Sequence, residues 1–221
     1  MIIFTCPLLM EWLMFLVFFA VQYGAGERGF DLRQSAWLGG LFQIVYLVVS
    51  LAIGWVLNRR NARTILMAST VAGTALGAAA LQITHFPTLL VVLGFFGAAL
   101  AVFFNSFQTF MRGESKPGQL AQTVGYYTVS WSLGTSLGFV SSGLLYRLGP
   151  TALAMLTALV GAAILVLLAR HRSRPAGELS SDDVAEGDSQ EQQAGIKKRA
   201  NHKNHSFRRV TAIWPDKTPC R

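Results

Sequence analysis

Between Arg63 and Arg112 this chain has no Asp, Glu, Lys or Arg, and between Lys116 and Arg170 the only one is Arg147. Hydrocarbon excludes charge, and water disfavours so long an apolar surface, so stretches of this kind belong in a bilayer. Composition agrees: 14% of the 221 residues are charged and 52% are apolar, more than one water-soluble core can hide.

A hydrocarbon core of about 30 Å takes about 20 helical residues at about 1.5 Å each. Six apolar windows have that length, at 7–23, 35–57, 64–83, 87–111, 124–146 and 151–169. A membrane β-barrel needs alternating segments of about ten residues, and runs such as 89–102 do not alternate. The expected fold class is therefore all-α, a polytopic membrane helix bundle of about six transmembrane helices. Short connectors, His85 to Thr88 and Leu148 to Pro150, make neighbouring helices antiparallel. The apolar start lacks a basic leader and a small-residue cleavage site, which reads as a retained helix rather than a signal peptide.

The formal net charge of +8 does not imply nucleic acid, because eleven of the nineteen Lys and Arg lie from Arg170 onward and most of the others in inter-helix loops. The expected partner of the basic groups is membrane lipid, with no nucleic acid. Counted by side, Arg59, Arg60, Arg63, Arg112, Lys116, Arg170, Arg172 and Arg174 stand against Arg28, Arg33 and Arg147. By the positive-inside rule both termini are cytoplasmic, in a multi-pass protein of the cell membrane, plasma or inner.

Two domains are expected: residues 1–172 as a six-helix transmembrane domain and 173–221 as a disordered, charged cytoplasmic tail. The tail's acidic part (Glu178 to Asp188) precedes a basic part (Lys197 to Arg209) that reads as solvated, or as lying against anionic lipid. Cys6 and Cys220 have no partner at redox or metal spacing, and His202 and His205 lie in that tail, so no metal and no cofactor are expected. There is no phosphate-binding G-x-x-x-x-G-K-[ST], no H-E-x-x-H and no G-x-S-x-G, and the chain is not read as an enzyme.

The loop after the second window reads Gly54-Trp-Val-Leu-Asn58-Arg59-Arg60-Asn61-Ala62-Arg63. It resembles the cytoplasmic loop signature G-x-x-x-D-R-x-G-R-R of the major facilitator superfamily of transporters. Gly54, Arg59 and Arg63 match; Asn58, Asn61 and Ala62 replace Asp, Gly and Arg, so the charge pair that latches the family's inward gate lacks its aspartate. The reading of this loop is a cytoplasmic gate loop at Gly54, Asn58, Arg59 and Arg63, in which Gly54 allows close helix approach. Any short inner loop also collects arginines by topology alone.

The fifth window is similar to the family's glycine-rich fifth helix, with Gly134, Gly138 and Gly143 expected in helix packing. Phe139 stands where drug antiporters of the family typically have proline, and Leu93 where many antiporters have arginine ahead of Gly97. Gly54 to Arg59 and Gly143 to Arg147 form a faint internal repeat. The resemblance, covering roughly 7–169, implies two inverted three-helix repeats that make up the N-terminal six-helix half of such a transporter. A second half is then required from the same or a separate chain, and a truncated reading of a longer gene is the expectation for its absence here.

The candidate pathway residues are Glu11, Gln43, Asn105, Gln108, Arg112, Ser130 and Trp131. Glu11 is the only acidic group inside an apolar window and faces a cavity, unless the first helix starts at Met10 or Met14 and leaves it at the interface. Asn105, Gln108 and Arg112 recur at helical spacing as a polar stripe, either along a path or bonded to the next helix. Gln43, Tyr46 and Ser50, with Tyr126, Tyr127, Ser130 and Trp131, offer similar contacts or serve packing and interfacial anchoring. The implied function is transmembrane transport of a small-molecule solute by alternating access. The alternatives are a non-transporting scaffold or assembly subunit, or an inactive fragment.

Overall fold

A computed structural model describes residues 2–115 and 118–171. Lys116, Arg172, Arg174 and the tail with Cys220, His202 and His205 lie outside the described residues. The described chain is six α-helices: α1 Ile2–Tyr23, α2 Leu32–Ile53, α3 Ala62–Gln82, α4 Phe86–Glu114, α5 Leu120–Tyr146 and α6 Pro150–Arg170.

Five of these, α1, α2, α3, α4 and α6, are long and apolar enough to cross a membrane. The sixth, α5, has the length and no charged residue, but its many Ser, Thr and Gly residues lower its hydropathy. Those same small residues let it pack.

Helix ends follow local chemistry, and they depart from the sequence windows for that reason. Asp31 starts α2 before Ser35 through a capping box: its Oδ1 accepts from Gln34 N at 2.6 Å, and Gln34 Oε1 accepts from Asp31 N at 3.0 Å. The chain leaves α2 at Gly54, where Trp55 N and Val56 N bond three residues back. The hydroxyl of Ser115 donates to Met111 O at 2.8 Å and lets α4 continue to Glu114. Pro150 occupies the first turn of α6 after Gly149, whose φ of +86° makes the tight α5–α6 turn. The first helix begins at Ile2, so the alternative start at Met10 or Met14 does not hold, and Glu11 sits inside the helix.

The helices pack through a central α1 and α4. The first lies along α5 and touches α6 and α3; the fourth lies between α3 and α2; and α3 lies along α6. Leu13, Leu16, Leu93, Phe96, Leu100, Phe103 and Phe107 are fully buried in this core. By contrast α2 buries only Leu38 and Phe42 and exposes Ile44, Leu47, Val48 and Leu51.

Lipid offers no hydrophobic drive between helices, so close fit does the holding. A Cβ built on Gly134 would stand 2.6 Å from Leu8 O, and one on Gly138 2.5 Å from Phe15 Cβ. On the other flank, a Cβ at Gly161 would meet Thr74 Oγ1 at 2.1 Å. Phe139 sets its ring centroid 4.8 Å from that of Phe15 and 4.5 Å from that of Phe19. Two glycines depart from expectation. Gly143 and Gly54 have nothing within 4 Å of such a Cβ, because Gly143 points off the α1 seam and Gly54 stands at the open end of α2.

Away from the arginine-rich α2–α3 loop, the α1–α2 loop holds the opposite helix ends. Arg28 Nη2 donates to Leu81 O at 3.1 Å, a cation on the last carbonyls of α3. Burial pulls its pKa below the ordinary arginine value, although the group stays charged. Tyr146, at the end of α5, hydrogen-bonds Glu27 and packs edge-on against Tyr23.

The seam predicts a sharp contrast. Gly138→Leu is expected to lower the thermal midpoint of the detergent-solubilised chain by several degrees, as overpacking costs about 1–3 kcal/mol. Gly143→Leu is expected to leave it within about a degree; equal midpoints for the two variants would show that α5 does not lie against α1 as described.

Candidate functional site

The close approach of α5 to α1 brings Glu11 against the polar face of α5. The residue is fully buried; its Oε1 accepts from Thr135 Oγ1 at 3.1 Å, and Trp131 lies near the same carboxyl. Its Oε2 is buried with no hydrogen-bond partner among the described residues. From the next residue of α1, Trp12 Nε1 donates to Ser141 Oγ at 2.8 Å, tying the two helices again.

Toward the α2–α3 loop end, the face continues through three helices. Gln108 Nε2 on α4 approaches Tyr127 Oη on α5 at 3.5 Å, the outer limit of a hydrogen bond. The Tyr127 ring stacks on Phe107 with centroids 6.0 Å apart. Tyr46 of α2 lies close enough to interact electrostatically with both Tyr127 and Glu11. Glu11, Tyr46, Gln108, Tyr127, Trp131 and Thr135 thus form one polar, aromatic face on α1, α2, α4 and α5.

The other candidates fall around it. Asn105 turns back on its own helix, Nδ2 donating to Ala101 O at 2.8 Å, and Ser130 does the same with its hydroxyl to Tyr127 O at 2.9 Å. Of the predicted α4 stripe, Gln108 is the member that reaches another helix, while Arg112 is exposed at the helix end. Gln43 is exposed one turn from Tyr46 on α2.

In the α2–α3 loop the substitution of Asp by Asn has a structural counterpart. Asn58 Oδ1 accepts from Arg60 N and Asn61 N, both at 3.0 Å, while Asn61 Oδ1 accepts from Asn58 N at 2.9 Å. Two neutral amides close the turn reciprocally. Arg63 then reaches across to α6, its Nη2 donating to Leu168 O at 2.9 Å and Ala169 O at 3.3 Å. At the same end His171 meets Glu114 at 3.0 Å, with its ring edge-on to Phe110.

Sequence reasoning missed Thr135, Ser141 and the Asn58–Asn61 pairing. Thr135 and Trp131 are four apart and so share a helical face, which offered a signal once Trp131 had been singled out.

The family model described as Major Facilitator Superfamily matches residues 1–216. The chain belongs to the major facilitator superfamily. Members of this superfamily are membrane transporters, not enzymes, and with its long apolar helices the chain is a multi-pass membrane protein of that kind. No curated protein and no solved structure matches the chain.

For this superfamily member the loop contact is open to test. Arg63→Gln removes a charge-assisted cap of the sort worth about 1.5–3 kcal/mol. Amide hydrogen exchange in the last turn of α6 is then expected to speed up about tenfold or more while the middle of α2 is unaffected; unchanged exchange in α6 would show that the Arg63 bonds do not hold that end.

Proposed function

We propose that the chain forms one half of a secondary transporter and moves a small solute by alternating access, with no covalent chemistry. What carries the reading is the polar, aromatic face on α1, α2, α4 and α5, centred on a carboxyl far from either helix end in an otherwise apolar bundle. Isolated membrane helices have no use for an uncompensated carboxyl, and such groups mark pathways.

In this reading residues 1–172 are two inverted three-helix repeats, and the tail from 173 is cytoplasmic, as are both termini, in the plasma or inner membrane. A second six-helix half, from the same or a separate chain, covers the open side of α2 and α5, where Leu47, Val48, Val129 and Leu133 are exposed. The solute path runs past Glu11, Trp131 and Ser130 to Gln108, Asn105 and Arg112, with Gln43 along α2. The gate loop Gly54, Asn58, Arg59 and Arg63 closes one end by bridging α3 to α6 rather than by an aspartate pair.

Membrane vesicles from cells expressing the chain, compared with vesicles from cells lacking it, test this with a panel of labelled sugars, amino acids, carboxylates and amines. Saturable uptake of at least one solute is expected, falling severalfold in Gln108→Leu and less in Asn105→Leu, whose amide is already satisfied within its helix. No chain-dependent uptake of any solute, with a cytoplasmic protein co-purifying through the tail, would favour a scaffold instead.

A further inference from the structure

Every other Asp, Glu, Lys or Arg in the six helices lies in the first or last turn of its helix: Arg33, Arg63, Arg112, Glu114 and Arg170. Glu11 alone sits deep, and among the described residues no cation stands beside it. Its donor is neutral, Thr135 on Oε1, and the indole of Trp131 lies nearby, while Oε2 has none. A buried carboxylate oxygen without a partner is costly, and either a proton or a bound cation relieves that cost.

The surroundings fit a cation with apolar bulk. Trp131, beside the carboxyl, is 45% exposed. Tyr127 lies four residues before it on the same face of α5, and Tyr46 stands across on α2. Aromatic faces carry negative quadrupole density and hold ammonium groups without needing N–H bonds from them. In a low-dielectric wall, the carboxyl behind Trp131 adds its field to that of the rings.

We infer that the face formed by Glu11, Trp131, Tyr127 and Tyr46 binds an organic ammonium ion, so that the solute class is cationic. This rests on the transport reading only for the word solute; the binding site stands or falls by itself. An anion would meet an acidic, ring-lined wall with no basic residue deep in any span. A neutral solute would leave the charge of the carboxylate uncompensated.

Calorimetric titration of the purified full chain in detergent tests the site with phenyltrimethylammonium, benzyl alcohol and benzenesulfonate, which share a ring and differ in charge. Phenyltrimethylammonium is expected to bind, and the other two at least roughly tenfold more weakly. Glu11→Gln is expected to weaken ammonium binding by roughly tenfold. Trp131→Leu, at a half-exposed position that leaves the seam glycines in place, weakens it similarly while Trp131→Phe retains most of it.

Equal binding of benzenesulfonate, or ammonium binding unchanged in both Glu11→Gln and Trp131→Leu, would overturn the inference. So would a Glu11→Gln chain that binds the ammonium normally while its solute uptake loses pH dependence, which would make Glu11 a proton carrier. Ammonium binding without uptake of any solute would sink the transport reading and spare the site; uptake confined to neutral or anionic solutes would spare the transport reading and overturn the cationic solute class.

Discussion

The backbone-to-backbone approach of α5 onto α1 at Gly134 and Gly138 is the contact on which the polar interior of the bundle depends. Without it Glu11 has no Thr135, Trp12 has no Ser141, and the polar residues of α5 face lipid. In hydrocarbon, helices gain little from hiding apolar surface against each other, so small residues that allow close contact set which helices pair. The α3–α6 pair uses the same device at Gly161 and Thr74.

Helix ends supply a second layer of order. Arg28 on the last carbonyls of α3 and Arg63 on those of α6 sit at opposite ends of the bundle, each placing a fixed positive charge where a helix dipole is negative. The α2–α3 loop consequently manages without an aspartate: its turn is built by Asn58 and Asn61, and its reach across helices by an arginine to backbone. Within the six described helices charge is confined to the ends, and the single exception, Glu11, is where a functional claim attaches.

Uncharged runs between Arg63 and Arg112 and between Lys116 and Arg170 made the helices readable, because lipid imposes length and exclusion of charge on sequence directly. The glycine face of α5 was legible at Gly134 and Gly138 from spacing, but spacing could not say that Gly143 turns away from α1. Glu11 stood out as the lone acid of the first window, whereas its depth depended on a helix start at Ile2 that no capping residue announced. The α4 stripe was read as continuous; Asn105 bonds its own helix because a short amide finds the carbonyl four residues back more readily than a partner across a gap. Bonds such as Gln108 to Tyr127 and Arg63 to Leu168 join residues distant in sequence, and one sequence holds no record of such pairings.

The weakest-looking span is also the one that matters most, because α5 is poorer in apolar residues than its length suggests and yet supplies the seam and half of the polar face. Hydrogen exchange of the chain in lipid nanodiscs, read amide by amide, tests its placement directly. Amides of 125–145 in α5 are predicted to exchange as slowly as those of the middle of α1, over hours. Exchange of that segment within seconds, with α1 still protected, would mean that α5 is neither in the membrane nor against α1, and would contradict the packing on which the site at Glu11 rests.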